Sequence, residues 1–191
     1  MKPFKNWADV KAPTEFNKLP MGGYLCKIMK AEVTQTRSGD EMLVVNFDIT
    51  DGEYKDYYAN EYRSQQSEDK RWKGVIRYFL PKEDGSEKDA WTKSRFKAFT
   101  DAVEESNSGY IWEWKEETLK GKKIGMVTRN EEWDYNGKTG FTVRPYNFVT
   151  IDKIVKGTYK LPKDKYLNGS APTTQKPAET EDLLLDSDLP F

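Results

Sequence analysis

Two stretches of the sequence interleave aromatic rings with positively charged side chains. They are YKDYYANEYR, residues 54–63, and GKKIGMVTRNEEWDYNGKTGFTVRPY, residues 121–146. Single-stranded nucleic acid requires this combination, because each base that stacks on a ring contributes about 1–3 kcal/mol and the phosphates need cations. The candidate contacts to single-stranded DNA are therefore Lys55, Tyr57, Tyr62, Arg63, Lys122, Lys123, Arg129, Trp133, Tyr135, Lys138, Phe141 and Arg144.

Each ring also has a structural alternative, since aromatic residues are common inside β-sheet proteins. Four rings are expected in the core: Trp72, Phe96, Phe99 and Phe148. Trp112 and Trp114 alternate in direction around one residue, so at most one of them should be exposed. Trp133 and Tyr135 precede an Asn-Gly turn, where a core position is unfavourable, and we expect both to be available for binding.

Several kinds of catalytic site are excluded by composition. The chain has no histidine and one cysteine, Cys26, which rules out Ser-His and Cys-His catalysis, histidine-bound metals and a disulfide framework. The tripeptide GKT at residues 137–139 resembles the end of a phosphate-binding loop, but Glu132 occupies the position that requires glycine. We expect no cofactor, no metal and no enzymatic activity.

A metal-dependent nuclease is the alternative from another functional class. Two sets of carboxylates could hold Mg²⁺ in principle, although neither has a diagnostic spacing and both read as solvated turn residues. The sets are Asp84 with Glu87, and Glu131 with Glu132 and Asp134.

The charge of the chain is divided unevenly. Residues 168–191 carry one lysine and five acids, which leaves residues 1–167 with a net charge of about +3. A mildly basic body suits an anionic ligand. No apolar run approaches the length of a membrane span and residues 1–20 lack a signal-peptide core, so we expect a cytoplasmic protein without membrane contact.

Alternating apolar residues predict three strands joined by tight turns, at residues 22–35, 41–50 and 54–62. Residues 71–80 could form a strand or a short helix. Residues 91–109 predict a helix capped by Thr92, with Phe96, Phe99 and Val103 on its apolar side. Asn136-Gly137 then predicts a two-residue hairpin turn, and Pro145 an edge strand or a bulge.

Three strands, a helix and two strands follow the order of the OB-fold, a five-stranded barrel. The predicted fold is mainly β with one main helix, an insert at residues 63–89 and a flexible acidic tail. The predicted divisions are an arm at 1–20, the OB-fold domain at 21–157, a linker at 158–180 and an acidic tip at 181–191. On this fold, strands two and three would supply the binding face. An RNA-binding or oligosaccharide-binding OB domain is the rival binding hypothesis.

The last residues, DSDLPF, resemble the acidic tip of bacterial single-stranded-DNA-binding proteins. Ser187 replaces an acid, and the matching positions are Asp186, Asp188, Leu189, Pro190 and Phe191. The body, at about residues 20–157, is similar to phage-encoded single-stranded-DNA-binding proteins in EMLVVNFDITDG, ESNSGYIWEW and LKGKKIGMVTRNEEW.

This resemblance implies that the protein coats single-stranded DNA and recruits replication, recombination or repair proteins. Phe191 would enter an apolar pocket on the partner, where an Arg or Lys would meet the carboxylate. Asp182, Asp186 and Asp188 would steer the tip towards a basic rim. The resemblance also allows a homo-oligomer, a dimer or higher. A tail that docks on its own body is the alternative.

Overall fold

The computed structural model describes residues 18–168. They form five strands, three α-helices and one 3₁₀ helix at Glu116–Leu119. The strands are β1 (Gly23–Gln35), β2 (Glu41–Ile49), β3 (Val75–Phe79), β4 (Lys123–Tyr135) and β5 (Lys138–Val149), and the α-helices are α1 (Tyr57–Ser64), α2 (Glu87–Ser106) and α3 (Ile151–Val155). Most of the predicted arm, the end of the predicted linker and the whole acidic tip lie outside the described residues. Within residues 18–168, no helix is long and apolar enough to cross a membrane.

The strands form one antiparallel sheet in the order β3-β2-β1-β4-β5. Period-two alternation positions the core, because successive side chains of a strand point to opposite faces. In β2 the buried apolar residues are Leu43, Val45, Phe47 and Ile49, as predicted. The prediction of a mainly β protein is confirmed.

Strand β1 joins the two halves of the sheet. Residues 23–27 pair with β4 and residues 26–35 pair with β2, so Cys26 and Lys27 pair with both strands. The register with β2 shifts between Ile28 and Lys30, which leaves Met29 as an extra residue in β1. Such a bulge bends a strand and increases its twist, so β1 can serve both partners.

Tyr78 brings the two ends of the sheet together. Its hydroxyl donates to Asn147 Oδ1 at 3.0 Å and accepts from the Phe148 backbone N–H at 3.4 Å. Its ring stacks on Phe99 of α2 with 4.7 Å between centroids, and Phe99 lies 5.5 Å from Phe148. Side-chain contacts therefore join β3 to β5 over a core that α2 closes.

The predicted third strand at residues 54–62 is wrong. Residues 54–56 form a turn, and residues 57–62 form most of α1. Asp56 adopts a left-handed conformation, with φ of 57°, which breaks extended structure before Tyr57. The buried Asp48 carboxylate then accepts from the Tyr58 and Ala59 backbone N–H groups, both at 3.0 Å. Burial raises the pKa of Asp48, although these hydrogen bonds favour its charged form.

Strand β3 forms instead within residues 71–80, for which the sequence allowed either a strand or a short helix. It lies inside the predicted insert at residues 63–89, so the insert contributes a strand to the sheet.

Helix α2 begins earlier than predicted. Ser86, not Thr92, caps it, because the Ser86 hydroxyl accepts from the Asp89 backbone N–H at 3.1 Å. Thr92 is buried within the helix and donates to the Lys88 carbonyl. The predicted apolar side of the helix is confirmed, since Phe96, Phe99 and Val103 are all buried.

The β4–β5 hairpin follows the sequence prediction. Asn136 and Gly137 both have positive φ, 52° and 72°, which a two-residue hairpin turn requires. Pro145 lies on β5 at the edge of the hydrogen-bonded sheet, beside a register shift at Val127 and Thr128, as predicted.

Candidate nucleic-acid interface

The outward side of β1, β2 and β3 is one of two surfaces that combine rings and cations. Paired residues of neighbouring strands share a face, and the pairing of β2 aligns Lys30 with Asn46 and Val75, and Val44 with Arg77. We define the strand face as the following side chains of this surface: Met29, Lys30, Asn46, Tyr62, Lys70, Trp72, Arg77 and Phe79.

Helix α1 and the loop after it extend the strand face. The rings of Tyr62 and Trp72 lie 5.9 Å apart, and Lys70 Nζ lies 6.0 Å from the Tyr62 centroid. Trp72 is fixed by its Nε1–H, which donates to the carbonyls of Phe47 at 3.2 Å and Gly74 at 3.1 Å. Trp72 packs against the core but is only partly buried, so one part of its ring stays on the surface.

An open cleft of about 410 Å³ lies between the sheet and this loop. Its charged lining residues are Lys30 and Lys70. Glu32 pairs with Lys30 at 2.6 Å, whereas Arg77 is exposed on the neighbouring strand. Phe79, which is 50% exposed, ends the same face of β3. The strand face therefore offers flat apolar partners and cations side by side.

The second surface is one side of the β4–β5 hairpin. Pairing places Arg129 opposite Arg144, Trp133 opposite Gly140 and Tyr135 opposite Lys138, all on the same side. We define the hairpin face as the five predicted binding residues on this side of the hairpin: Arg129, Trp133, Tyr135, Lys138 and Arg144. The structure thus brings together residues that are up to fifteen positions apart in the sequence.

Gly140 determines how Trp133 lies on the hairpin. A Cβ atom at residue 140 would stand 2.8 Å from Trp133 Cζ2, which is closer than such atoms approach. The missing side chain therefore lets the indole ring lie across β5. Trp133 is still 40% exposed, and Tyr135 is 72% exposed, as their position beside the turn predicted.

Arg129 is already engaged within the hairpin. It pairs with Glu131, and its guanidinium lies 4.5 Å from the Tyr146 ring centroid. Lys165 Nζ approaches Glu131 at 3.9 Å. A ligand phosphate would therefore compete with Glu131 for both cations.

Residues 164–167 lie along the edge of β4. Lys165 donates its backbone N–H to Asn130 O at 2.9 Å and accepts from Glu132 N at 2.8 Å. On the other side of the hairpin, Tyr166 meets Phe141 edge to face at 5.6 Å. This part of the predicted linker at 158–180 thus contacts the hairpin, while residues 169–180 lie outside the described residues.

A cleft of about 330 Å³ separates α1 from β5 and lies between the two surfaces. Lys18, Lys73 and Arg144 contribute cations to it, and Tyr57 and Phe141 contribute rings. Lys73 pairs with Glu61, and the Tyr57 hydroxyl accepts from the Leu19 backbone N–H at 3.2 Å. Three predicted residues therefore line this cleft, Tyr57 from α1 and Phe141 and Arg144 from β5.

Other predicted residues stand apart from both surfaces. Lys55 is exposed in the turn before α1, and Arg63 donates to Asn60 Oδ1 at the end of that helix. Lys122 lies 4.0 Å from the Tyr110 ring centroid, and the Lys123 backbone N–H donates to Asn107 Oδ1 beside the end of α2. The six predicted tip residues lie outside the described residues.

The sequence analysis missed much of the strand face. Met29, Lys30, Asn46, Lys70, Arg77 and Phe79 were not among the candidates, and Trp72 was assigned to the core. The alternation in VIRYF contained the signal, since Ile76 and Tyr78 are buried while Arg77 and Phe79 are exposed. Assigning the third strand to residues 54–62 hid it.

Glu131 and Glu132, two of the carboxylates considered for a metal, do not converge. Glu131 and Glu132 are neighbours in β4 and point to opposite sides of the hairpin. Glu132 Oε2 accepts from the Leu167 backbone N–H at 3.0 Å. Across residues 18–168, no group of three or more acidic or cysteine side chains is arranged to hold a metal ion.

A family described as a protein of unknown function (DUF669) matches residues 6–78, which run from the predicted arm through β1, β2 and α1 to Tyr78 in β3. No curated protein matches the chain. The chain is thus similar to DUF669 proteins over the segment that carries most of the strand face.

Proposed function

We propose that this protein binds single-stranded DNA with little sequence preference, through base stacking and phosphate contacts. The observation that carries the proposal is the strand face, where the rings of Tyr62, Trp72 and Phe79 stand among Lys30, Lys70 and Arg77. Stacking tolerates any base because every base has a flat face.

We further propose that the sheet is an OB-fold barrel. The strand order, the position of α2 between β3 and β4, and the Tyr78 contacts that join β3 to β5 support this assignment. OB-fold proteins bind oligonucleotides on the face of strands two and three and on adjacent loops. On this protein that face is the strand face.

One strand of DNA would cross from the strand face through the α1–β5 cleft to the hairpin face. Lys73 precedes β3 and Arg144 belongs to β5, so cations continue across the cleft. The rings of Trp133 and Tyr135 would then take further bases. A path of this kind combines an electrostatic groove with a series of stacking platforms.

We propose binding without catalysis, in the cytoplasm, during phage replication, recombination or repair. The absence of histidine from the sequence and the divergent directions of Glu131 and Glu132 support a non-enzymatic role. The acidic tip would recruit partner enzymes through Leu189, Pro190 and Phe191, as its resemblance to bacterial tips implies.

Titration of the tryptophan fluorescence of the full-length protein tests the binding proposal. We expect oligo-dT to quench the signal at concentrations where a matched duplex does not, because duplex bases are not available for stacking. Equal binding of poly-U would extend the substrate to RNA. Failure of every single strand to bind would overturn the proposal.

Removing the tip tests recruitment separately. A variant lacking Leu189–Phe191 should bind oligo-dT with equal or higher affinity and lose the capture of replication, recombination or repair proteins. A variant lacking residues 173–175 is the matched control and should capture them normally. Unchanged capture without Leu189–Phe191 would remove the recruitment proposal.

A further inference from the structure

A groove of about 630 Å³ lies on another side of the molecule, between α2 and residues 112–116. Its apolar lining includes Val33, Phe96, Trp112 and Trp114. Phe96 stacks on Trp114 with 6.3 Å between centroids and an interplanar angle of 23°, and it meets Trp112 edge to face at the same distance. The residues of the strand face and the hairpin face take no part in this groove.

Trp114 is held in an unfavourable backbone conformation while its ring remains in solvent. Its φ is 62°, in the left-handed region that bulky residues rarely adopt, and the side chain is 78% exposed. Strain of this kind is retained where the surrounding structure uses the residue, commonly at binding sites. The buried Nε1–H of Trp112 also has no acceptor within residues 18–168.

The charge of the groove excludes an acidic occupant. Lys93 pairs with Asp89 at 3.0 Å and Lys97 pairs with Asp101, so both lysines are neutralised locally. The carboxylates of Glu83, Glu104 and Glu116 leave an excess of negative charge. Nucleic acid and the tip at 181–191 would both be repelled, whereas a basic segment with aromatic side chains would be attracted.

We propose that this groove binds residues 1–7 of the same chain, MKPFKNW. Phe4 and Trp7 supply rings for the aromatic lining, and Lys2 and Lys5 supply charges for the carboxylates.

The length of the chain permits this contact. Lys18 lies at the α1–β5 cleft, near the start of β1, and Val33 lies in the groove. The eleven residues of β1 from Gly23 to Val33 span ten steps and rise about 33 Å. The ten residues 8–17 can span up to about 35 Å when extended, which leaves residues 1–7 free to enter the groove.

Hydrogen exchange of the full-length protein tests the proposal. Replacing both Phe4 and Trp7 with Ser should accelerate amide exchange in residues 112–116 about tenfold, because an open groove no longer protects them. The double substitution Glu83→Lys and Glu116→Lys should also accelerate exchange in residues 112–116, because it removes two carboxylates that would attract Lys2 and Lys5. Val10→Ser, in the same arm, is the matched control and should leave exchange in residues 112–116 unchanged. Exchange in residues 133–138 should be the same in every variant.

Three results would overturn the proposal. Exchange in residues 112–116 that does not respond to the Phe4 and Trp7 substitutions would show that residues 1–7 do not occupy the groove. Protection that increases with protein concentration would identify a second copy as the occupant. Protection that appears with oligo-dT would assign the groove to nucleic acid. None of these results depends on whether the strand face binds DNA.

Discussion

Trp133 and Tyr135 are aromatic residues that lie outside the core and are exposed to solvent. Both stand beside a tight turn, and the glycine at position 140 gives the Trp133 ring a flat place on the neighbouring strand. A ring held in this way keeps its face in solvent and loses little conformational freedom when a base stacks on it. Neither side chain belongs to the buried core, so variants at both positions are suited to a test of binding in the folded protein.

Trp133→Ala and Tyr135→Ala should each weaken oligo-dT binding by about 1–3 kcal/mol, because each removes one stacking platform. The measurement is equilibrium titration of each variant, with thermal melting to show that it folds. Trp91→Ala is the matched control, since Trp91 is 59% exposed on α2 and belongs to neither binding surface. Wild-type affinity in both folded hairpin variants would place the binding site elsewhere.

At the scale of elements, buried carboxylates fix where helices begin. Asp48 holds the first turn of α1, and Asp89 holds the chain before α2 by accepting from Lys82 N at 2.8 Å and Glu83 N at 3.1 Å. Desolvation acts to raise the pKa of Asp89, but the hydrogen bond from Lys93 and those from the two backbone N–H groups lower it below its ordinary 3.8. The folded protein therefore stabilises the charged form of Asp89 relative to its protonated form.

Asp89→Asn should lower the melting temperature at pH 7, where the wild-type carboxylate is fully charged. A group with a depressed folded pKa contributes stability above its unfolded pKa and loses it as the pH falls through the folded value. The difference between wild type and variant should therefore narrow below pH 3.8. Glu68→Gln, on an exposed loop, is the control. Equal melting temperatures at pH 7, or a difference that persists in strong acid, would contradict this account.

These elements also show the limits of sequence reasoning. The hairpin was predictable because Asn-Gly has one favoured role between alternating strands, and the apolar side of α2 followed from the spacing of Phe96, Phe99 and Val103. Helix α1 was not, because YKDYYANEY satisfies both period two and a helical spacing of its tyrosines. A long-range contact decided between them, the approach of Asp48 to the N–H groups of Tyr58 and Ala59.

On the scale of the whole molecule, the path proposed for DNA is assembled from distant parts of the chain. Lys30 and Arg77 come from β1 and β3 and meet on the strand face through the pairing with β2, whereas Arg144 comes from β5 and lies on the hairpin face. The sequence predicted that Trp133 and Tyr135 would be exposed, and the structure confirms this. It did not separate Lys122, which lies beside Tyr110, from the cations of the two surfaces.

The most direct test of the central proposal is the salt dependence of oligo-dT binding by the full-length protein. We predict saturable quenching of tryptophan fluorescence, with log affinity falling linearly with log salt at a slope of about −0.7 for each phosphate contacted. Residual affinity at high salt would report the stacking contribution of the rings. A protein that shows no saturable binding at low salt, or binds a matched duplex equally well, would contradict the proposal that its exposed rings and cations form a site for single-stranded DNA.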